Sequence, residues 1–228
     1  MPKKALPFRT AGRPPRGANP EAREHLLDAA IQQFAQRGIA NTTVADVAAA
    51  GKVTSAMVHY WFDTREKLLD AVVDERLVKV IQRMWEPGQA EHANAIDLVQ
   101  ALLQRMLEIT AELPWLASLW LREIVQEGGL LRERVLKRIP RERNVPFHRR
   151  ILEAQARGEV NPQIIPELLF FSMLALVMLP QSGSKSWPRF NTDITAFDRS
   201  KLEGHVTALL LHGLTGAPAR KTRPRSGE

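Results

Sequence analysis

The residues of this chain group by type for recognition chemistry, not for catalysis. Its six histidines, His25, His59, His92, His148, His205 and His212, are scattered, and none forms the i, i+4 pair beside a carboxylate that holds a catalytic zinc. His205 and His212 share a helix face two turns apart, which reads as a solvated or interface pair. There is no Gly-rich phosphate loop and no G-x-S-x-G turn. Cysteine is absent, which removes disulfides, thiolate metal sites and cysteine nucleophiles. No enzyme, metal or cofactor is implied. What does cluster is Ser55, Ala56 and Met57, followed one turn later by His59 and Tyr60 and then by Lys67. Short side chains at the start of a helix let it approach base edges: Ala56 and Met57 can touch thymine methyls, while Ser55 can donate or accept. The polar tips of His59 and Tyr60 lie where phosphates pass. Lys67 falls in the first turn of the next helical pattern, where the helix dipole already favours an anion.

Two short helical patterns position these groups. Val44, Val47 and Ala48 recur at helical spacing, with Thr43 before them as an N-cap and Asp46 three residues on, the signature of a capped first turn. After a break at Gly51 and Lys52, Thr54 caps a second helix whose buried stripe is Val58 and Phe62; Trp61 reads as core. Such a pair places its second helix N-terminus first in a major groove. Thr42 and Thr43 can also hold a phosphate oxygen at a helix start, although capping alone accounts for them. A helix starting after Asn19, with Pro20 at its first position, precedes the pair and buries Leu26, Leu27, Ala30, Ile31 and Phe34 before ending at Gly38. A fourth, from about Thr64 to Met84, carries the broad apolar stripe of Leu68, Leu69, Val72, Val73, Leu77, Val80 and Ile81 and links this region mechanically to the next.

The run from Glu21 to Leu77, and within it FAQRGIANTTV and AMVHYWFDTREKLL, resembles the N-terminal domain of the TetR family of bacterial transcription repressors. The resemblance implies a helix-turn-helix in which Thr43, His59, Tyr60 and Lys67 contact the DNA backbone. One departure is Lys52, which stands where the family usually has Gly, so the turn needs a left-handed non-Gly residue or uses Gly51 instead. The full candidate DNA-contacting set is Thr43, Lys52, Thr54, Ser55, Ala56, Met57, His59, Tyr60 and Lys67, with Arg13 and Arg16 from a basic arm.

The charge distribution supports the arm. Of a net charge of +7, the excess sits at the two ends: residues 1–17 carry Lys3, Lys4, Arg9, Arg13 and Arg16 without an acid, and the tail carries Arg220, Lys221, Arg223 and Arg225 against Glu228. Attraction to phosphate therefore comes from arms and a few placed residues. The Pro- and Gly-rich arm reads as disordered in the free protein, either solubilising or lying in a minor groove.

Beyond Trp85, Pro87 and Gly88 the chain reads as all helix, over about 92–111, 114–127, 130–138, 145–158, 162–180 and 198–215, with an exposed loop from Pro180 to Phe197. The longest apolar run, Leu168 to Leu179, falls short of the roughly 20 residues a membrane span needs, so no membrane association is expected. ELLFFSMLALVML (167–179) and LEGHVTALLLHGL (202–214) carry more apolar surface than one core face requires, and a core or an interface accounts for them equally. In TetR-like proteins the last two long helices form the homodimer interface, which implies a homodimer through 162–180 and 198–215. The middle helices would enclose a small apolar effector, with Met106, Trp120, Ile124, Phe170 and Met173 as candidate lining residues beside Leu103, Leu107, Trp115 and Leu119. Glu108, Arg122 or Glu123 would give the pocket polarity.

The expectation is an all-α protein: a basic disordered arm (1–17), a helix-turn-helix DNA-binding domain (18–85) joined by the long fourth helix to a helical effector-binding and dimerisation domain (86–215), and a basic tail (216–228). Function follows as a cytoplasmic, ligand-released repressor that binds a palindromic double-stranded DNA operator as a homodimer. An activator on the same fold, or a ligand-binding or scaffold module without specific DNA binding, are the alternatives.

Overall fold

Pro20 opens the first helix because its missing N–H is one that no helical carbonyl would have paired. In the computed structural model, which describes residues 20–86, 94–184, 186–190 and 198–216, α1 runs over Pro20–Arg37. It is followed by α2 (Val44–Ala50) and α3 (Ser55–Phe62). A continuous rod comes next, made of α4 (Arg65–Val72), a π-helical turn (Val73–Leu77) and α5 (Val78–Met84). Arg13 and Arg16, the rest of the arm, and the tail beyond Gly216 lie outside the described residues.

The second half comprises α6 (Ala95–Glu112), α7 (Leu116–Trp120) continuing into a second π-helical turn (Leu121–Val125), α8 (Arg132–Leu136), α9 (Val145–Ala156), α10 (Pro166–Ser182), α11 (Trp187–Phe190) and α12 (Arg199–Thr215). The all-α architecture, with an N-terminal helix-turn-helix, matches the expectation. Two details differ. The anticipated loop from Pro180 is partly helical: α10 passes through Pro180 to Ser182, and α11 follows it. Side chains serve carbonyls of that last turn, with Gln181 Nε2 donating to Val177 O at 2.9 Å and Trp187 Nε1 to Pro180 O at 2.8 Å, while the proline itself leaves Leu176 O without its usual i+4 backbone donor. The two π-helical turns have no signature in the pattern of apolar residues, since a single wide turn leaves the stripe nearly intact.

One continuous cluster of buried side chains runs from Leu26 and Phe34 through Leu69 and Leu77 to Met106, Leu119 and Val177. The N-terminal helices are therefore not attached to the rest by the α4–α5 rod alone, because α1 also packs against α7. Ion pairs brace this junction. Arg23 makes a bidentate pair with Glu75 of the π turn at 2.7 and 2.5 Å. From the same turn, Arg76 reaches back to Glu24 and Asp28 of α1 at 2.9 and 2.7 Å.

Candidate nucleic-acid interface and ligand cavity

Each short helix of the N-terminal pair starts on a threonine whose hydroxyl satisfies a free backbone donor, and this fixes where the exposed side chains stand. Thr43 caps α2 by accepting from Asp46 N at 3.1 Å, and Asp46 Oδ2 accepts in return from Thr43 N (2.8 Å) and Thr43 Oγ1 (2.6 Å). Thr43 is thus occupied by the capping box, while the Thr42 hydroxyl is buried and donates to Gly38 O at 2.7 Å. These hydrogen bonds from Thr43, first through its hydroxyl and then its N–H, together with the Arg37 guanidinium, lower the Asp46 carboxyl pKa to about 2. A depressed carboxyl stabilises the folded state above its ordinary value of about 4, and that contribution disappears as pH falls toward 2. Carboxyl-carbon NMR titration should find Asp46 near 2, and Thr43→Val should return it toward the ordinary value.

The turn between α2 and α3 resolves the question posed by Lys52. Gly51 has an ordinary helical φ of −79°, but a Cβ there would sit 2.8 Å from Leu26 Cδ1, so glycine is needed for close packing against α1. The left-handed residue is Lys52, at φ 55°, which leaves its ammonium exposed at the tip of the turn.

Thr54 caps α3 by accepting from Met57 N at 3.3 Å. Ser55 and Ala56 are exposed and Met57 half-buried, while Val58 and Phe62 turn into the core. Tyr60 is 48% exposed and stands edge-on to Trp61 with ring centroids 5.2 Å apart; Trp61 packs against the core. His59 Nδ1 donates to Asp63 O at 2.8 Å, which puts the hydrogen on Nδ1 and leaves Nε2 as the outer nitrogen. Lys67 Nζ lies 2.7 Å from Asp63 Oδ2, both side chains well exposed, and that ammonium holds the Asp63 carboxyl below its usual range. Thr54, Ser55, Ala56, Tyr60 and Lys67 thus stand exposed on one short helix and the first turn of the next. Asp63, at φ 59°, is a group the sequence reading missed; it organises both His59 and Lys67. Its signal was the DT pair directly ahead of REK, where Thr64 caps α4 by accepting from Lys67 N at 3.2 Å.

A second feature lies in the other half. A cavity of about 470 Å³ is bounded by the end of α5 (Ile81, Met84, Trp85), the α7 π turn, α8 and α10, within the roughly 300–1,000 Å³ common for sites of drug-sized ligands. Three of the five expected lining residues, Trp120, Ile124 and Phe170, come together on its wall. Met106 and Met173 do not; both are fully buried in the core, Met106 because no residue of α6 lines the cavity, and Met173 because it stands on a different face of α10 from Phe170, Leu174 and Met178. Leu103, Leu107 and Leu119 are likewise buried. The expected sources of polarity also point elsewhere. Glu108 is exposed, Arg122 Nη1 donates toward Ala35 O at 3.4 Å, and Glu123, only 5% exposed, accepts from Ile39 N at 2.9 Å and Leu130 N at 3.2 Å. Glu123 belongs to the π turn that walls the cavity, yet its carboxyl holds the backbone just ahead of α2. Gly129 makes that wrap possible, since a Cβ on it would fall 2.4 Å from Glu123 O.

Among the described residues no group of three or more potential metal-ligating side chains occurs, and no helix is long and apolar enough to cross a membrane. Residues 26–72, from within α1 to the end of α4, match the family model described as bacterial regulatory proteins, tetR family. The chain is similar to the HTH-type transcriptional repressor Rv3405c of Mycobacterium tuberculosis, 32% identical over 80 residues, a stretch covering 35% of this chain and 39% of that protein. In fold it is similar to the ketosteroid transcriptional regulator KstR2 of Mycobacterium tuberculosis, with a TM-score of 0.65 at 18% identity over 88% of this chain and 97% of that one. It is also similar to the transcriptional regulator FadR of Bacillus subtilis in complex with stearoyl-CoA, with a TM-score of 0.60 at 19% identity over 84% and 98%.

Proposed function

Because the chain belongs, through residues 26–72, to the tetR family of bacterial regulatory proteins, we propose that it is a cytoplasmic, sequence-specific DNA-binding repressor that acts as a homodimer and is released by a small ligand. The observation that carries this reading is the exposed set on α3 and the start of α4, with Ser55 and Ala56 at the leading end and Tyr60 and Lys67 behind. That order suits base edges ahead and phosphates behind. Lys67 exchanges Asp63 for a phosphate on binding, and Lys52 reaches the backbone from the tip of the turn. Arg13 and Arg16 would add salt-dependent attraction from the arm. The test is mobility shift on the DNA flanking the protein's own gene, at two salt concentrations with unrelated competitor. Saturable, competitor-resistant binding to a palindrome supports the repressor; binding that competitor abolishes and salt erases contradicts it.

The dimer is proposed through α10 and α12. Their outer faces leave Leu168, Phe171 and Leu179 and, on α12, Leu209 between 50 and 58% exposed, and a Cβ on Gly204 or Gly213 would meet nothing within 4 Å. Contiguous exposed apolar side chains beside small residues suit a helix-on-helix interface. Leu168→Glu combined with Leu209→Glu should give a monomer in sedimentation and lose at least about tenfold in operator affinity. A dimer that survives both changes would place the interface elsewhere.

Release needs a ligand that binds the two states unequally. The cavity wall supports such coupling in two places. The π turn of α7 holds Ile39 through Glu123. On the other side, α8 carries Arg134, paired with Glu66 and Asp70, and the turn just after it carries Arg138, paired with Asp70 and Asp74. A ligand that displaces either wall therefore pulls on α4 or on the entry to α2, and so on the spacing of the two recognition helices.

A further inference from the structure

We infer that the effector is an amphipathic anion, an apolar body carrying one carboxylate or comparable acid group, and that Arg132 receives the acid group. This rests on the reading of the cavity as the effector site. The phase of α8 sets Arg132 apart from the arginines beside it. Arg132, Val135, Leu136 and Ile139, spaced i, i+3, i+4, i+7, form one face of that helical stretch, and all four line the cavity. Arg134 and Arg138 stand on the other face, and both are engaged by carboxylates of the α4 rod. Arg132 differs from them: among the described residues no carboxylate pairs with it, and it is the one charged residue on the cavity wall. Its companions there are apolar, apart from Asn144.

An arginine beside an apolar void favours a particular class of occupant. A cation is repelled and a neutral apolar molecule leaves the guanidinium without an acceptor, whereas an acid group supplies one in planar, bidentate geometry. The apolar body then lies against Trp85, Trp120 and Phe170; Trp85 and Phe170 already stack at 4.8 Å between centroids, a surface for an alkyl chain or an aryl ring. Asn144 adds a second donor for the acid group. The ligand would thus be held by the helix whose opposite face is latched to α4.

The test is calorimetric titration of the purified protein, in the absence of DNA, with three matched pairs: decanoate, dodecanoate and naphthylacetate, each beside its methyl ester. The expected result is that at least one acid binds about tenfold or more tightly than its ester, the discrimination typical of a charge-assisted hydrogen bond. Arg132→Met should bring the pair to within about twofold, while Arg132→Lys, which keeps the charge but not the bidentate fork, should retain only part of the preference; unchanged thermal melting of both variants excludes misfolding. Equal binding of acid and ester to the unaltered protein, a preference that survives Arg132→Met, or no binding by any acid would overturn the assignment. Each of those results leaves the DNA-binding reading standing, because operator binding is measured separately and without ligand.

Discussion

Replacing Tyr60 and Lys67 together by alanine is expected to reduce operator affinity by at least about a hundredfold, with folding and self-association unchanged. Both residues are exposed, Tyr60 by 48%, and among the described residues the Lys67 ammonium pairs with Asp63 across an exposed i, i+4 pair. Exposed pairs of this kind contribute little to stability, so the loss should appear in binding and not in melting. In the proposed complex each side chain would donate to phosphate, Lys67 with a full charge, and a hydrogen bond to a charged group is worth about 1.5–3 kcal/mol. A homodimer presents every such contact twice. The loss should also reduce the slope of affinity against salt, since two lysine–phosphate contacts vanish per dimer. Unchanged affinity in mobility shift would favour a helical ligand-binding or scaffold protein instead.

Glu123→Ala is expected to produce the largest loss of stability of any substitution proposed for this chain, and to disconnect the cavity from the DNA-binding helices. The two carboxylate oxygens accept from Ile39 N and Leu130 N, and Ile39 itself is fully buried. Removing the acceptor strands the Ile39 N–H away from water, at about 1–3 kcal/mol, while the N–H of the exposed Leu130 can turn to water. Thermal melting should fall clearly, and hydrogen exchange should speed first at Ile39. Glu123→Gln keeps one carbonyl oxygen as an acceptor but turns an NH₂ toward the other N–H, so its effect should be smaller in the same direction. If Glu123 transmits the ligand signal, a ligand that weakens operator binding of the unaltered protein should weaken that of Glu123→Gln much less. Equal sensitivity of the two proteins would move the coupling to the Arg134 and Arg138 pairs on α4.

The reasons these two sites were unequally legible are physical. Caps and stripes are local: Thr43 with Asp46, Thr54, and the apolar spacing of α1 and the α4 rod identify helices from a few neighbouring residues, and the structure places helices there. The outward Ala56 and Tyr60 follow from the phase of Val58 and Phe62, Ser55 from its place in the first turn of α3, and Lys67 from the phase of Leu68, Leu69 and Val72 on α4. Long-range geometry is another matter. Nothing near Glu123 announces that its carboxyl meets Ile39, 84 positions earlier, and a glutamate beside Trp120 and Ile124 reads naturally as pocket polarity. Arg132 was unreadable for the converse reason, because Arg132, Arg134 and Arg138 look alike until α4 is seen to claim two of them. Met106 and Met173 have the same stripe character as Phe170, and only the packing separates them: α6, which carries Met106, does not reach the cavity wall, and Met173 turns away from it on α10. At the turn, sequence posed the choice between Gly51 and Lys52, and the closeness of Leu26 decided it.

On the proposed function, two copies of α3 read successive major grooves of one palindrome. Hydroxyl-radical and methylation footprinting of the dimer on its bound DNA tests this most directly. Two symmetric protected tracts are expected on one face of the duplex, centred about 34–36 Å apart, with methylation interference in the major groove of each half-site. A single tract, protection without symmetry, or interference confined to the minor groove would contradict it.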